Sequence, residues 1–418
     1  MRDLRKHRAA PVVEAGLVDS CVEQVARYGG LPNGGVRRLV YTPEWQGAVQ
    51  HVAGWLREEG LEVRQDAVGN LWGVLRGTEQ GPSIVTGSHL DTVIEGGRLD
   101  GALGVIAGYL ALKALKASFG PPRRTLEVLA VCDEEASRFP SNFWGSRAIA
   151  GLIEPGEADG IRDPDGVTLA EAMRSCGLDP HAIPHARRSD IDAFLELHIE
   201  QGPVLEREGV PVGAVTAITA IEQLECRVSG RADHAGGTPM DSRLDALLGA
   251  AEMALAAAEE ARRQGSPAVA TVGRMEAHPG APNIVAGEVR FTLDARHPDL
   301  ESHRTFVSKL LDSFSAIAAR RGLSLDVARL LYQPPTASTP ELVETVKAAA
   351  AALDVPILEL VSGAGHDTQV LARAGVRRVM IFVPSIGGRS HSPVEWTAPE
   401  DMAKGVSVLA EVLKRLAY

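Results

Sequence analysis

The chain has 418 residues, and at roughly 150 residues per domain that length predicts two or three domains. It carries 43 Lys and Arg against 54 Asp and Glu, a net charge of −11. That balance excludes a sequence-independent nucleic-acid binder, which needs a basic face to neutralise phosphates. With 45% hydrophobic residues there is ample apolar surface to bury, so whole-chain disorder is excluded too.

Aromatics make up 4%, which leaves the cores mainly to Ala, Val and Leu. Cys21, Cys132, Cys176 and Cys226 form no C-x-x-C pair. Neither a thiolate zinc site nor a disulfide framework is suggested, and a reducing, cytoplasmic setting is expected. The basic start MRDLRKHRAAPVVEAG lacks the apolar core of a signal peptide. No uncharged apolar run reaches about 18 residues, so no membrane-spanning helix is expected.

In chain order, residues 36–60 predict a helix, with Thr42 as N-cap, Pro43 at the first helical position, Glu44 in the first turn and Gly60 as stop. Short strands follow at 61–66 and 71–76, around Gly69-Asn70. A buried strand starts at Ser83 and runs to Gly87-Ser88-His89. Residues 101–118 predict an amphipathic helix with Val105, Ile106, Tyr109 and Leu112 on one face. Further buried strands are predicted at 125–132, 193–200 and 378–384. Residues 155–192, rich in Pro, Gly and Asp, read as a long excursion. Apolar strands alternating with helices imply an α/β fold with a mixed, largely parallel sheet flanked by helices.

Residues 218–332 read differently: strand 223–230, helix 242–265, strands 268–277 and 288–297, helix 300–322, strand 324–332. That βαββαβ order predicts an inserted α+β, ferredoxin-like domain. The expected organisation is residues 1–217 and 333–418 forming one discontinuous metal-binding domain, with 218–332 as a lid and dimerisation domain.

The polar clusters sit at predicted strand ends, where ligands bind to parallel sheets. They are His89 (GSHLDT), Asp100 (GGRLDG), Glu134 and Glu135 (CDEEAS), His198 (ELHIEQG) and His391 (RSHSP). Histidines with carboxylates suit Zn²⁺, Mn²⁺ or Co²⁺. A hydrolytic site also needs one carboxylate that is not a ligand, to accept a proton from water. Asp91, two residues after His89, is placed to hydrogen-bond its ring. A single strand-end histidine is ordinarily structural and a Glu pair ordinarily solvated. The argument for a metal site is their repetition along one sheet edge. In strand 288–297, Val289, Phe291, Leu293 and Ala295 share one face. Arg296 falls on the other, where its guanidinium can grip a carboxylate.

GSHLDTVIEGGRLDGALGV, DEEASRF, ELHIEQG, RADHAGGTPM, SGAGHD and FVPSIGGRSHSP, in that order, resemble the hydantoinase/carbamoylase group of the M20 dinuclear metallopeptidases across nearly the whole chain. RLVYTPEW, FPSNFWGSRAIAG and FVPSIGG are most similar to the group's allantoate amidohydrolases. Its N-carbamoyl-L-amino acid hydrolases, ureidoglycolate hydrolases and β-ureidopropionases share the general motifs.

The resemblance implies a zinc-aminopeptidase-like catalytic domain with two divalent ions per subunit, Mn²⁺ or Zn²⁺, with Co²⁺ or Ni²⁺ as alternatives. His89 and His391 would each cap one metal, Asp100 would bridge, Glu135 and His198 would complete the two spheres, and Glu134 would be the general base. The Asp100–Gly101 peptide would be cis. His234, from the lid of a partner in a homodimer, would stabilise the oxyanion. Gln201, Asn283, Arg296 and Gly365 would bind the substrate.

The implied reaction is cleavage of a ureido C–N bond, allantoate first and an N-carbamoyl-L-amino acid next, releasing ammonia and CO2. An aminopeptidase or aminoacylase of the wider family, and a metal-free scaffold, are the other readings; a scaffold would lack ligands that are all present here. Departures from the group's commoner forms are Asp133 and Ala136 in DEEASRF, the second Gly of HAGG, and Ile218–Gln223 in place of a more basic stretch.

Overall fold

A computed structural model of the chain describes residues 10–418; most of the basic start, residues 1–9, lies outside the described residues. The chain divides into two compact units: residues 1–216, 338–362 and 366–418 in one, and 217–337 with Gly363–Gly365 in the other. The second boundary thus falls a few residues after the expected 332. The short glycine segment bearing Gly365 belongs with the inserted unit rather than the flanking one.

The first unit is built on a mixed sheet. Across it run Glu62–Gln65, Leu71–Leu75, Leu126–Val131, Ser83–His89, Ile191–Ile199, Arg377–Val383 and Val212–Ile218, with Ile357–Ser362 pairing beside the last. The four strands from Leu126–Val131 to Arg377–Val383 are mutually parallel. Leu71–Leu75 and Val212–Ile218 flank them antiparallel. The central strands are buried on both faces, which is why they read as unbroken apolar runs rather than alternating ones.

Helix Ala102–Phe119 is buried nearly all round, so the expected polar face is absent. It is long and apolar enough to cross a membrane by composition, and 72% of it is buried within its own unit. Helix Pro43–Glu58 starts seven residues later than the expected 36, and its Thr42 cap accepts from the Trp45 N–H. The preceding stretch is held extended instead. Buried Arg38 donates to the carbonyls of Leu90, Val25 and Tyr28, and Val36 bridges Gly96. Aromatics are few, but Trp45, Trp72, Trp144, Phe139, Phe194 and Phe382 are all fully buried. The excursion at 155–192 contains helices Glu157–Gly160 and Leu169–Ser175.

The second unit has strands Ala220–Ser229, Val269–His278, Glu288–His297 and Ser324–Gln333, with helices Ala246–Gln264 and Leu300–Arg321. All pairings are antiparallel, and the fourth strand lies next to the first, then the third, then the second. Leu224, Cys226, Val228, Val289, Phe291 and Leu293 alternate toward the helices and meet Met253, Phe306 and Phe314 there.

Candidate metal centre

Four neighbouring parallel strands deliver the site. His89 closes Ser83–His89 opposite Val131, the last residue of Leu126–Val131, and Asp133, Glu134 and Glu135 follow. His198 sits opposite Phe382, near the ends of Ile191–Ile199 and Arg377–Val383, and the latter leads into the loop carrying His391. Asp100 lies just before helix Ala102–Phe119. Crowding four loops at one edge bends the main chain. Asp133, Ala136, Gln201 and His391 have φ of 55°, 52°, 57° and 52°, a region that disfavours residues with a Cβ.

The carboxylate of Asp100 is at the centre. Its Oδ1 lies 3.2 Å from His198 Nε2 and 3.7 Å from His89 Nε2. Its Oδ2 lies 3.4 Å from His391 Nε2, which is also 3.4 Å from Glu135 Oε2. Glu134 Oε2 lies 3.8 Å from His89 Nε2. Glu134 thus approaches His89 and Glu135 approaches His391, while His89, Glu134 and Glu135 also offer donor atoms within 4.8 Å of one another. His89, Asp100 and His198 form one group able to hold an ion, and Asp100, Glu135 and His391 a second.

Two ring nitrogens are oriented for such an ion. His89 Nδ1 lies 3.0 Å from the Asp91 carbonyl and His198 Nδ1 lies 2.9 Å from the Ile199 carbonyl. With Nδ1 as donor in each, both Nε2 lone pairs face Asp100. A lone pair facing a carboxylate oxygen is repulsive unless a positive charge stands between them. Burial, and then the charges of Glu135, Asp367, Asp91 and Asp100, push the Glu134 carboxyl well above its usual range. Burial, and then Asp100, Asp91 and Glu395, do the same to Glu135, whose Oε1 is buried without a partner. Three histidines and this surplus of carboxylates fit divalent cations by charge and by donor type.

Asp91 works differently from the expectation. Its backbone carbonyl, not its carboxylate, takes the His89 ring; the carboxylate accepts the main-chain N–H groups of Glu134 (3.2 Å) and Glu135 (3.0 Å). The Asp100–Gly101 peptide is trans, since the cis bonds among the described residues are Ser266–Pro267 and His278–Pro279. Gly101 instead takes a φ of 64°, and a Cβ there would come within 2.3 Å of the His89 ring. Gln201 donates through Nε2 to Asp100 Oδ2 at 2.9 Å.

The other expected residues lie in the second unit. His234 pairs opposite Ile284, Asn283 O accepts from Ala235 N, and His234 Nδ1 accepts from the N–H groups of Gly236 and Gly237. His234 and Asn283 are thus brought together. Arg296 lies elsewhere, its Nε and Nη2 bonded to Asp294 at 2.8 and 3.0 Å and its Nη1 to Gly363 O at 2.6 Å. The expected open fork is taken along one edge by an acid two residues earlier on the same face. In the stretch that departs from the group, Glu222 is buried against His303 and Arg329, and Gln223 donates to Asp294.

Sequence reasoning placed Ser390 beside His391 in a polar cluster and missed Glu196 and Glu395. Glu196 accepts from Ser88 and Thr368. It lies two residues before His198 in an apolar strand, and that spacing puts both on one face. A charged residue inside LELHI was the available signal.

Residues 85–415 match the family described as Peptidase family M20/M25/M40. The chain is 40% identical to "Allantoate amidohydrolase" of Escherichia coli (strain K12), over 96% of this chain and 98% of that protein. It is also 40% identical to "N-carbamoyl-L-amino-acid amidohydrolase" of Paenarthrobacter aurescens, over 96% and 98%. A solved hydantoinase/carbamoylase family amidase from Burkholderia multivorans superposes with a TM-score of 0.91 at 34% identity, covering 97% of this chain and 98% of that one.

Proposed function

Because the chain belongs to peptidase family M20/M25/M40, we propose that it is a dinuclear metal-dependent amidohydrolase that cleaves a C–N bond of a ureido acid. The observation that carries this reading is Asp100, whose two oxygens face different His-and-acid groups. His89, Asp100 and His198 would hold one divalent ion, and Asp100, Glu135 and His391 the other. Mn²⁺ or Zn²⁺ would suit this donor set, as would Co²⁺ or Ni²⁺. When bound, the ions would polarise the carbamoyl oxygen and make a water acidic.

Glu134 then serves as proton acceptor from the attacking water and as donor to the departing nitrogen. His234 of a second copy stabilises the oxyanion. Gln201, Asn283, Arg296 and Gly365 hold the rest of the substrate. For Arg296, Asp294 occupies Nε and Nη2 and the Gly363 carbonyl Nη1, so a substrate carboxylate would have to share or displace these partners. The products are the amine, ammonia and CO2.

Allantoate is the preferred substrate, on the RLVYTPEW, FPSNFWGSRAIAG and FVPSIGG stretches. An N-carbamoyl-L-amino acid is the second reading, favoured by an equal 40% identity to a relative of that name. The working unit is proposed as a homodimer through the inserted unit. The cytoplasm is its proposed location, in keeping with four free cysteines. Ammonia release should be measured with Mn²⁺ on allantoate, ureidoglycolate, N-carbamoyl-β-alanine and several N-carbamoyl-L-amino acids. Turnover of allantoate above the rest supports the assignment, and activity on dipeptides alone overturns it.

A further inference from the structure

Glu395 lies in the loop that carries His391 and is 3% exposed. Its Oε1 accepts two main-chain N–H groups from the other side of the cluster, Leu99 at 2.8 Å and Asp100 at 3.0 Å. Ser390 Oγ lies 3.3 Å from its Oε2 and donates its single proton to the nearer Asp100 Oδ2. The carboxylate therefore touches the main chain of Asp100 directly and its side chain through one intermediary. The fit is close: a Cβ on Gly97 would come within 2.2 Å of Glu395 Oε1.

We propose that Glu395 is a positioning residue that fixes Asp100 relative to His391, and so builds the Asp100/Glu135/His391 ion position; this rests on the dinuclear reading above. Asp100 and His391 come from loops 291 positions apart in the chain. Bonds that join the two loops run through Glu395 and Ser390, and Gln201 Nε2 reaches both Asp100 and Ser390 beside them. Two convergent N–H donors require an acceptor at one point, which a carboxylate or an amide oxygen supplies and a methyl group does not. The His89 and His198 rings have anchors of their own, in the carbonyls of Asp91 and Ile199, and the two positions share Asp100. Loss of Glu395 should therefore weaken the ion beside His391 more than the other.

The test is calorimetric titration of Mn²⁺ into metal-stripped full-length wild type, Glu395→Ala, Glu395→Gln and Ser390→Ala, with circular dichroism to establish folding. Wild type should bind two ions. Glu395→Ala should bind the ion beside His391 about 10- to 100-fold more weakly, the range found when a partner that orients a ligand is removed, and the other ion with a clearly smaller loss. Its kcat should fall at low Mn²⁺ and recover toward wild type at high Mn²⁺, while KM at saturating metal holds. Glu395→Gln keeps an oxygen for both N–H groups and should stay near wild type. Ser390→Ala should fall between them. Glu395→Ala binding both ions as wild type does would overturn the proposal. So would equal weakening of both ions alongside a lower Tm of the stripped protein, the result of a merely structural role. Wild type that binds fewer than two ions would instead bring down the dinuclear reading itself.

Discussion

Asp91 Oδ2 accepts the main-chain N–H of Glu135, 44 residues further along the chain, at 3.0 Å, and Oδ1 holds the N–H of Glu134 beside it. One carboxylate on the His89 loop thus sets the two glutamates by their backbone, leaving their side chains free for chemistry. Asp91→Asn presents one oxygen and one NH2 to two donors, so one contact is lost and becomes a clash of donors. We expect metal affinity or kcat to fall by about 10- to 100-fold with folding preserved. Metal titration and steady-state kinetics on the variant check this, and wild-type values in both would refute the clamp.

Glu134 is the proton carrier in the proposed reaction, and Glu135 a ligand. Glu134→Gln keeps shape but cannot accept a proton. Turnover should fall by about 10²- to 10⁴-fold while two equivalents of metal are retained, as read by elemental analysis. Undiminished turnover would refute the assignment of the base.

Metal removal should be visible without any substrate. Ions that bind the folded chain alone stabilise it, by about 2.7 kcal/mol at a concentration of 100 times Kd. A chelator should therefore lower Tm, and Mn²⁺ should restore it. Scanning calorimetry with and without chelator measures the shift; identical melting curves would contradict an ion at this cluster.

The strand that delivers His198 is pinned at its far end by Asp192, which bonds Arg377 (3.0 Å to Nε) and Arg124 (2.7 Å). The hydrogen bond from Arg377, and then that from Arg124, hold the carboxyl of Asp192 below its usual range. A carboxyl depressed in the folded state stabilises above its unfolded value and loses that contribution as pH falls through the folded value. Because the pair is partly solvated, the contribution is set at about 1 kcal/mol. Asp192→Asn should lower Tm by about 2 °C at pH 7. The gap to wild type should close below about pH 4, near the unfolded carboxyl value. A gap that persists unchanged at pH 3 would mean the charge is not its source.

What the sequence made legible follows from periodicity and position. The apolar runs ending at His89, Val131, Ile199 and Val383 became parallel neighbours because strands buried on both faces leave no polar alternation to mislead. His89, Asp100, Glu135, His198 and His391 could be picked out because each sits at or beyond such a run. Asp91 is legible too, but only as a partner of the His89 ring; its contacts to the main chain, and Glu395 altogether, are not. The oxygens of Asp91 and Glu395 point at amide groups, and an amide carries no sequence signal. The start of helix Pro43–Glu58 was misjudged because Arg38 spends its guanidinium on carbonyls far along the chain. Asp294 was visible two positions before Arg296, and reading the strand's period for charges as well as for apolar residues would have paired them.

In the first unit's sheet, Ile191–Ile199 and Val212–Ile218 lie close in sequence but are not neighbours; Arg377–Val383 stands between them. During synthesis that gap must wait until nearly the whole chain has emerged, and closing it is a long-range event of the slow kind. The strand that fills the gap is also the one that brings His391. Completion of the sheet and completion of the cluster are thus the same step, so a nascent or C-terminally clipped chain cannot display the finished set of donors. In the proposed dinuclear enzyme, loading with both ions would therefore report that the last strand is in place.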